Sequence, residues 1–179
     1  MLRNGANKRK IALELLPIVL LIFLLLLDQI TKTCAKNLHD NADWMSTTVI
    51  SNFFELRYVM NQGAAFSFLA GVEWGQTFFK CLTVVAIVLF FIYYVHICKK
   101  GCKWARYALI LMFAGMLGNF IDRLYYDGVV DFISLIFGSY HFPIFNFADI
   151  YMTVGVIMLI LHFFFIDKDA IFRKKKSNA

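Results

Sequence analysis

The sequence predicts an all-α membrane protein, a four-transmembrane-helix bundle that carries a small extracytoplasmic β-sheet. Three observations predict it. Four segments, roughly Ile11–Leu27, Thr77–Ile97, Trp104–Ile121 and Ile150–Ile166, are apolar and close to the length of a membrane-spanning helix. Lysine and arginine gather in every second link between them. One of the remaining links alternates apolar and charged residues with a period of two. The chain is 60% hydrophobic, with 20 phenylalanines in 179 residues and a mean hydropathy of +0.66, which excludes an ordinary soluble domain.

The first apolar segment follows Arg3, Lys8, Arg9 and Lys10, as a secretory signal would. It runs too long for one and no small-residue cleavage site follows, so it reads as a retained helix. With their interfacial turns the spans cover about 11–32, 76–97, 104–124 and 147–167 of a single integral membrane domain, 1–179. An outer β-cradle covers about 53–70. The link Cys98–Arg106 carries Lys99, Lys100, Lys103 and Arg106, and the tail carries Lys168, Arg173, Lys174, Lys175 and Lys176. Thr33–Gly75 holds only Lys36 and Arg57, and Tyr125–Asp149 holds no base. The positive-inside rule then puts both termini and the 98–106 link in the cytoplasm and the other two links outside. Anionic membrane lipid suffices as partner for a net charge of +6, and nucleic acid is not implied.

The outer link has its own pattern. Phe54-Glu55-Leu56-Arg57-Tyr58 reads as a strand with one apolar face. Asn61-Gln62-Gly63-Ala64-Ala65 supplies a turn, and Phe66–Leu69 a return strand. Small side chains there, Gly63 above all, admit a second backbone, although a plain hairpin turn explains Gly63 equally well. Asp40–Ser51, with Trp44, Met45 and Val49, reads as a short surface helix. Cys34, Cys81, Cys98 and Cys102 form no disulfide framework. His39, His96, His141 and His162 lack the spacing of metal ligands, so neither metal nor cofactor is expected.

The polar residues fall at one depth. Lys10 to Asp28 and Asp149 to Asp167 are each 18 residues, ~27 Å of helix, and Arg106 to Asp122 is 16 residues, ~24 Å. Three acids on three helices therefore reach the same level, just beneath the outer surface of a core ~30 Å thick. Each has polar company at helical spacing: Asp28 with Lys32, Asn119 with Asp122 and Arg123, Asn146 with Asp149. Taken alone, Asp28–Lys32 is an interfacial ion pair whose lysine reaches outward, and Asn146 is a helix N-cap. Taken together they outline a shared site, because ionisable residues within a membrane are expensive. Glu14 and Lys80 lie near helix ends and read as positional.

Two carboxyls held close together in a poorly solvated site ionise one at a time, and such a pair can activate water while polarising a carbonyl. Asp122, flanked by Asn119 and Arg123, suits a helix-end anchor. Asp131, within Val129-Val130-Asp131-Phe132-Ile133, suits a buried extended segment folding back into the bundle. Asp149 starts the last helix, and the 17 residues between it and Asp131 let the two meet. Asp131 and Asp149 are taken as the pair, although spacing alone leaves other pairings open.

Four blocks in order carry a family resemblance: Asp28-x-x-Thr31-Lys32; Asn61-x-Gly63-Ala64-Ala65-Phe66; Gly118-Asn119-x-x-Asp122-Arg123 with Gly128-x-Val130-Asp131-Phe132; and Phe145-Asn146-x-Ala148-Asp149. Over residues 28–149 the sequence resembles the lipoprotein signal peptidases (signal peptidase II), an aspartic peptidase family. The resemblance implies that Asp131 and Asp149 are catalytic. It implies that Asp28, Lys32, Asn61, Gly63, Asn119, Asp122, Arg123 and Asn146 bind substrate or support the site. The implied substrate is a prolipoprotein with a diacylglyceryl-cysteine, cut just before that cysteine at the outer face of the bacterial inner membrane. The implied inhibitors are globomycin-type cyclic peptides, and residues 53–60 would pair with or cover the extended substrate. The alternatives are a transporter subunit or a non-enzymatic bundle with a structural ion-pair belt. The midplane stretches Val84–Phe91 and Val156–Leu161 are apolar, unlike a transporter's. A serine/lysine peptidase would need a serine beside Lys32, where only Thr31 stands.

Overall fold

The computed structural model describes residues 2–42, 44–63 and 72–166, with side chains for 15–41, 44–63 and 72–165. Its elements are α1 (Leu2–Ala42), β1 (Ser46–Ile50), β2 (Phe54–Asn61), α2 (Gly75–Lys100), α3 (Lys103–Tyr126), β3 (Val129–Phe137), β4 (Tyr140–His141) and α4 (Phe147–Leu161). A π-helical turn, His162–Ile166, extends α4. Four helical stretches, Leu15–Asn41, Gly75–Lys100, Lys103–Tyr126 and Phe147–Phe165, are long and apolar enough to cross a membrane. The expected Phe66–Leu69 return, Ala64, Ala65 and Asp167 lie outside the described residues, as does the side chain of Glu14.

α3 is the central helix and packs against α1, α2 and α4. Its fit with α4 depends on missing side chains. A Cβ on Gly155 would come within 2.7 Å of the Ala108 carbonyl oxygen, and one on Gly118 within 3.1 Å of the Ala148 Cβ. Apolar side chains give no hydrophobic drive between helices inside a bilayer, so close backbone approach supplies the contact. Ala105, Ala108, Leu109 and Met112 are buried there, while Val84, Val88, Phe91 and Ile92 of α2 face outward as lipid-facing residues do. α2 ends at Gly101, whose left-handed backbone (φ 72°) lets its N–H return to Cys98 O at 3.2 Å.

The four strands form one antiparallel array in the order β1-β2-β3-β4 at one end of the bundle. Val130 and Phe132 of β3 pack on Ala35 of α1, which joins sheet to bundle. Two expectations are corrected. Asp40–Ser51 contains no separate surface helix: α1 continues to Ala42, and Ser46–Ile50 is an edge strand. The run Thr47-Thr48-Val49-Ile50 is β-branched throughout, which favours a strand. Second, β2 has β1 on one side and β3 on the other, so its main chain is engaged and it can cover a substrate rather than pair with it along its length.

Candidate active site

The polar residues at the sheet end of the bundle separate into two connected groups. The first is closed. Lys32, only 2% exposed, turns inward from α1. Its ammonium lies 2.9 Å from Asp28 Oδ2 and 3.1 Å from Asp122 Oδ2, and donates to Asn119 Oδ1 at 2.9 Å. Three donors thus meet three acceptors, and the ion is satisfied without water. The outward-reaching lysine expected from the Asp28–Lys32 pair alone is therefore wrong. The second acid, Asp122 on α3, draws the charge inward.

Both acids of this group also hold backbone. Asp28 Oδ1 accepts the Ala148 N–H at 2.9 Å, fixing the start of α4. Asp122 Oδ2 accepts the Val130 N–H at 3.0 Å, fixing the start of β3. Asp122 is thus a helix-end anchor, as its neighbours in sequence suggested. Gln29 was not singled out in the sequence, yet its Nε2 reaches Asp28 Oδ2, the Gly118 carbonyl and Asp122 Oδ1 at 3.1–3.2 Å. Its position beside Asp28, three residues before Lys32, was the available signal.

The second group faces a cleft of about 530 Å³ lined by Asn61, Asn119, Arg123, Asp131, Asp149 and apolar residues that include Phe79, Met116 and Phe142. Asp131 and Asp149 enter it from different elements, the third residue of β3 and the first turn of α4. Asn146 links them. Its Nδ2 donates to Asp131 Oδ1 at 2.7 Å, and its backbone N–H to Asp149 Oδ2 at 3.1 Å. Its Oδ1 accepts the Asp149 N–H at 3.1 Å, which completes a capping box on α4. The expected N-cap is present, and the same side chain also tethers the neighbouring acid. Asn61 Nδ2 donates to Asp131 Oδ2 at 2.8 Å, and Asn119 Nδ2 to Asp149 Oδ1 at 2.8 Å. Asn119 therefore connects the two groups, accepting from Lys32 and donating to Asp149.

Among the described residues neither Asp131 nor Asp149 has a cation within ion-pair distance. Arg123 is the basic side chain among the residues that line the cleft. Its guanidinium lies over the Phe79 ring, 5.2 Å from the centroid, with long contacts to Asn119 O (3.4 Å) and Gly63 O (3.5 Å) and its Nε buried without a partner. Gly63 is buried, and its N–H is held by Asn61 Oδ1 at 3.0 Å, so it reaches the site through its backbone. Burial, and then the charge of Asp149, push the Asp131 carboxyl up from 3.8 to about 7, against the opposing pull of its bonds to Asn61 and Asn146. Lys80, read as positional, pairs with Asp127 at 2.9 Å.

A helical membrane bundle capped by a sheet, with two uncompensated carboxyls facing one cleft, has the build of a membrane-embedded enzyme. A family model described as signal peptidase (SPase) II matches residues 20–165. A lipoprotein signal peptidase from Maridesulfovibrio salexigens is 36% identical over 82% of this chain and 93% of its own length. One from Staphylococcus carnosus is 40% identical over 80% and 87%. A solved bacterial membrane enzyme, determined by the in meso method, superposes with a TM-score of 0.69 at 34% identity, over 91% of this chain and 94% of its own. The chain belongs to the signal peptidase II family: it is a peptidase of bacterial membranes, of the lipoprotein-processing class.

Proposed function

We propose that the chain is an aspartic endopeptidase that removes signal peptides from diacylglyceryl-modified prolipoproteins, cutting before the lipidated cysteine. The observation that carries this reading is the cleft shared by Asp131 and Asp149, one of which titrates near neutrality. The site contains four acids, Asp28, Asp122, Asp131 and Asp149, against two bases, Lys32 and Arg123. One proton retained by the cleft pair reduces the excess charge from two to one. Protonated Asp131 donates to the scissile carbonyl oxygen while Asp149 takes a proton from the attacking water. Collapse of the tetrahedral intermediate returns that proton from Asp149 to the leaving nitrogen, and Asp131 recovers its own. Asn61, Asn119 and Asn146 hold the two carboxyls in place, and Arg123 with Gly63 shapes the wall that receives the substrate backbone.

The orientation follows from charge. The carboxyls sit at the end of α3 opposite Lys103 and Arg106, so the positive-inside rule places the cleft at the outer face and both termini in the cytoplasm. A lipid-bearing cysteine stays at headgroup level, the depth that this orientation gives the cleft. Globomycin-type cyclic peptides would compete for the same cleft.

The test is cleavage of a synthetic prolipoprotein peptide by the purified protein in detergent, with and without the diacylglyceryl group. Cleavage immediately before the modified cysteine, unaffected by EDTA, is the expected result. Equal turnover of the unmodified peptide, or zinc-dependent activity, would contradict the reading.

A further inference from the structure

The opposite end of the bundle carries a polar cluster that the cleft does not use. Gly101 and Cys102 join α2 to α3 there, and the Cys102 side chain is half-buried. His162, in the π-helical turn that extends α4, is 2% exposed, and its Nδ1 lies 3.7 Å from Cys102 Sγ. Its Nε2 is buried and has no hydrogen-bond partner. A histidine that only fills a core has its ring nitrogens satisfied. Here, among the described residues, the one polar contact of the ring is a sulfur atom. Cys98, four residues earlier and also half-buried, is turned instead to the Tyr94 hydroxyl.

A thiol reacts as its thiolate, and an imidazole in contact with the sulfur can take the proton. The turn also selects what reaches it. Lys99, Lys100 and Lys103 are exposed around Cys102, Arg106 follows one turn into α3, and no acid lies between residues 98 and 106. A run of one sign draws anions and repels cations.

We propose that Cys102 is a modification site that forms a mixed disulfide with a small anionic disulfide, with His162 as the base. Nδ1 takes the thiol proton as the Cys102 sulfur attacks one sulfur of the reagent. The reagent's S–S bond breaks as the new one forms, and the imidazole returns the proton to the departing thiolate. One disulfide is consumed and one is formed, so no further oxidant is needed. On the orientation proposed above the site faces the cytoplasm, but the reaction itself requires no peptidase activity. Cys102 to Asn119 is 17 residues, ~26 Å of helix, which keeps this site apart from the cleft.

The test uses the reduced full-length protein in detergent at low ionic strength. It is treated with dithiodiglycolate, a dianionic disulfide, or with cystamine, a dicationic one. Adducts are timed by intact mass and placed by peptide mapping, and each rate is divided by that of a free-cysteine peptide with the same reagent. Cys102 is expected to react with dithiodiglycolate at least ten-fold faster than Cys98. It is also expected to favour dithiodiglycolate over cystamine several-fold, a margin that salt removes. His162→Gln is expected to slow Cys102 about ten-fold or more and to leave Cys98 unchanged. If that variant fails to accumulate, the wild-type ratio of Cys102 to Cys98 decides the matter. Equal rates at Cys102 and Cys98, or a Cys102 rate unmoved in His162→Gln, overturn the proposal. A preference for cystamine overturns the anionic class of reagent, and the proposal with it.

Discussion

Two pairs of acids lie at the same end of this bundle, all buried except the half-buried Asp149, and they differ in what compensates their charge. Asp28 and Asp122 flank the ammonium of Lys32, and every polar atom of that lysine is engaged. Asp131 and Asp149 face a cleft and are held by asparagines, with no cation at ion-pair distance among the described residues. An amide donor fixes a carboxyl without neutralising it. On the proposed peptidase reading the first set is scaffold and the second is reactive, although both have the same side-chain chemistry. If the cleft pair transfers protons as proposed, the compensating cation stands one residue away, behind Asn119, and the amide carries orientation but not full charge.

The comparison is broken most severely by exchanging charge for an amide. Asp131→Asn and Asp149→Asn are each expected to lower kcat by on the order of 10⁴-fold or more, as loss of a member of a cooperating catalytic set does, while the protein still accumulates folded. Kinetics on the lipidated peptide, with size-exclusion profiles beside them, check this. Lys32→Met attacks the other set. It leaves two buried acids uncompensated and is expected to cost roughly 3–5 kcal/mol of stability, read from thermal unfolding in detergent. If Lys32→Met were as stable as wild type, the scaffold role would fail.

The third effect has a definite sign. A carboxyl raised from 3.8 to about 7 by folding binds its proton more tightly in the folded state. Its contribution is fully present below about pH 4, is lost as pH rises toward 7, and stays lost above. Asp131→Asn should therefore be more stable than wild type at pH 8, by something of the order of 2–4 kcal/mol, and not at pH 4. Thermal midpoints of both proteins across that range measure it. The smallest effect belongs to the connector: Asn119→Ala removes one donor to Asp149 and one acceptor of Lys32, and is expected to lower kcat by roughly 10²-fold with little change in KM.

Much of this was legible in the sequence because the bilayer restricts what residues can do. Helical rise alone brought Asp28, Asp122 and Asp149 to one level, and the apolar neighbours of Asp131 marked it as a buried extended segment. The direction of Lys32 was not legible. Outward reach and inward pairing use the same four-residue spacing, and the choice depends on Asp122, which lies 90 residues away in sequence. Gln29 escaped for the same reason, since its partners lie on α3. The sheet order was hidden as well: β2 finds β3 across a helical hairpin, and local periodicity carries no record of that pairing.

The most direct test is infrared difference spectroscopy of the carboxyl C=O stretch in the detergent-solubilised protein, comparing wild type with Asp131→Asn from pH 5 to pH 9. The expected result is a protonated-carboxyl band in wild type that fades with a midpoint near pH 7 and is absent from the variant. A band that survives in Asp131→Asn would put the proton on a group other than Asp131, and a wild type with no such band at pH 6 would mean that the cleft pair holds no proton; either contradicts the account.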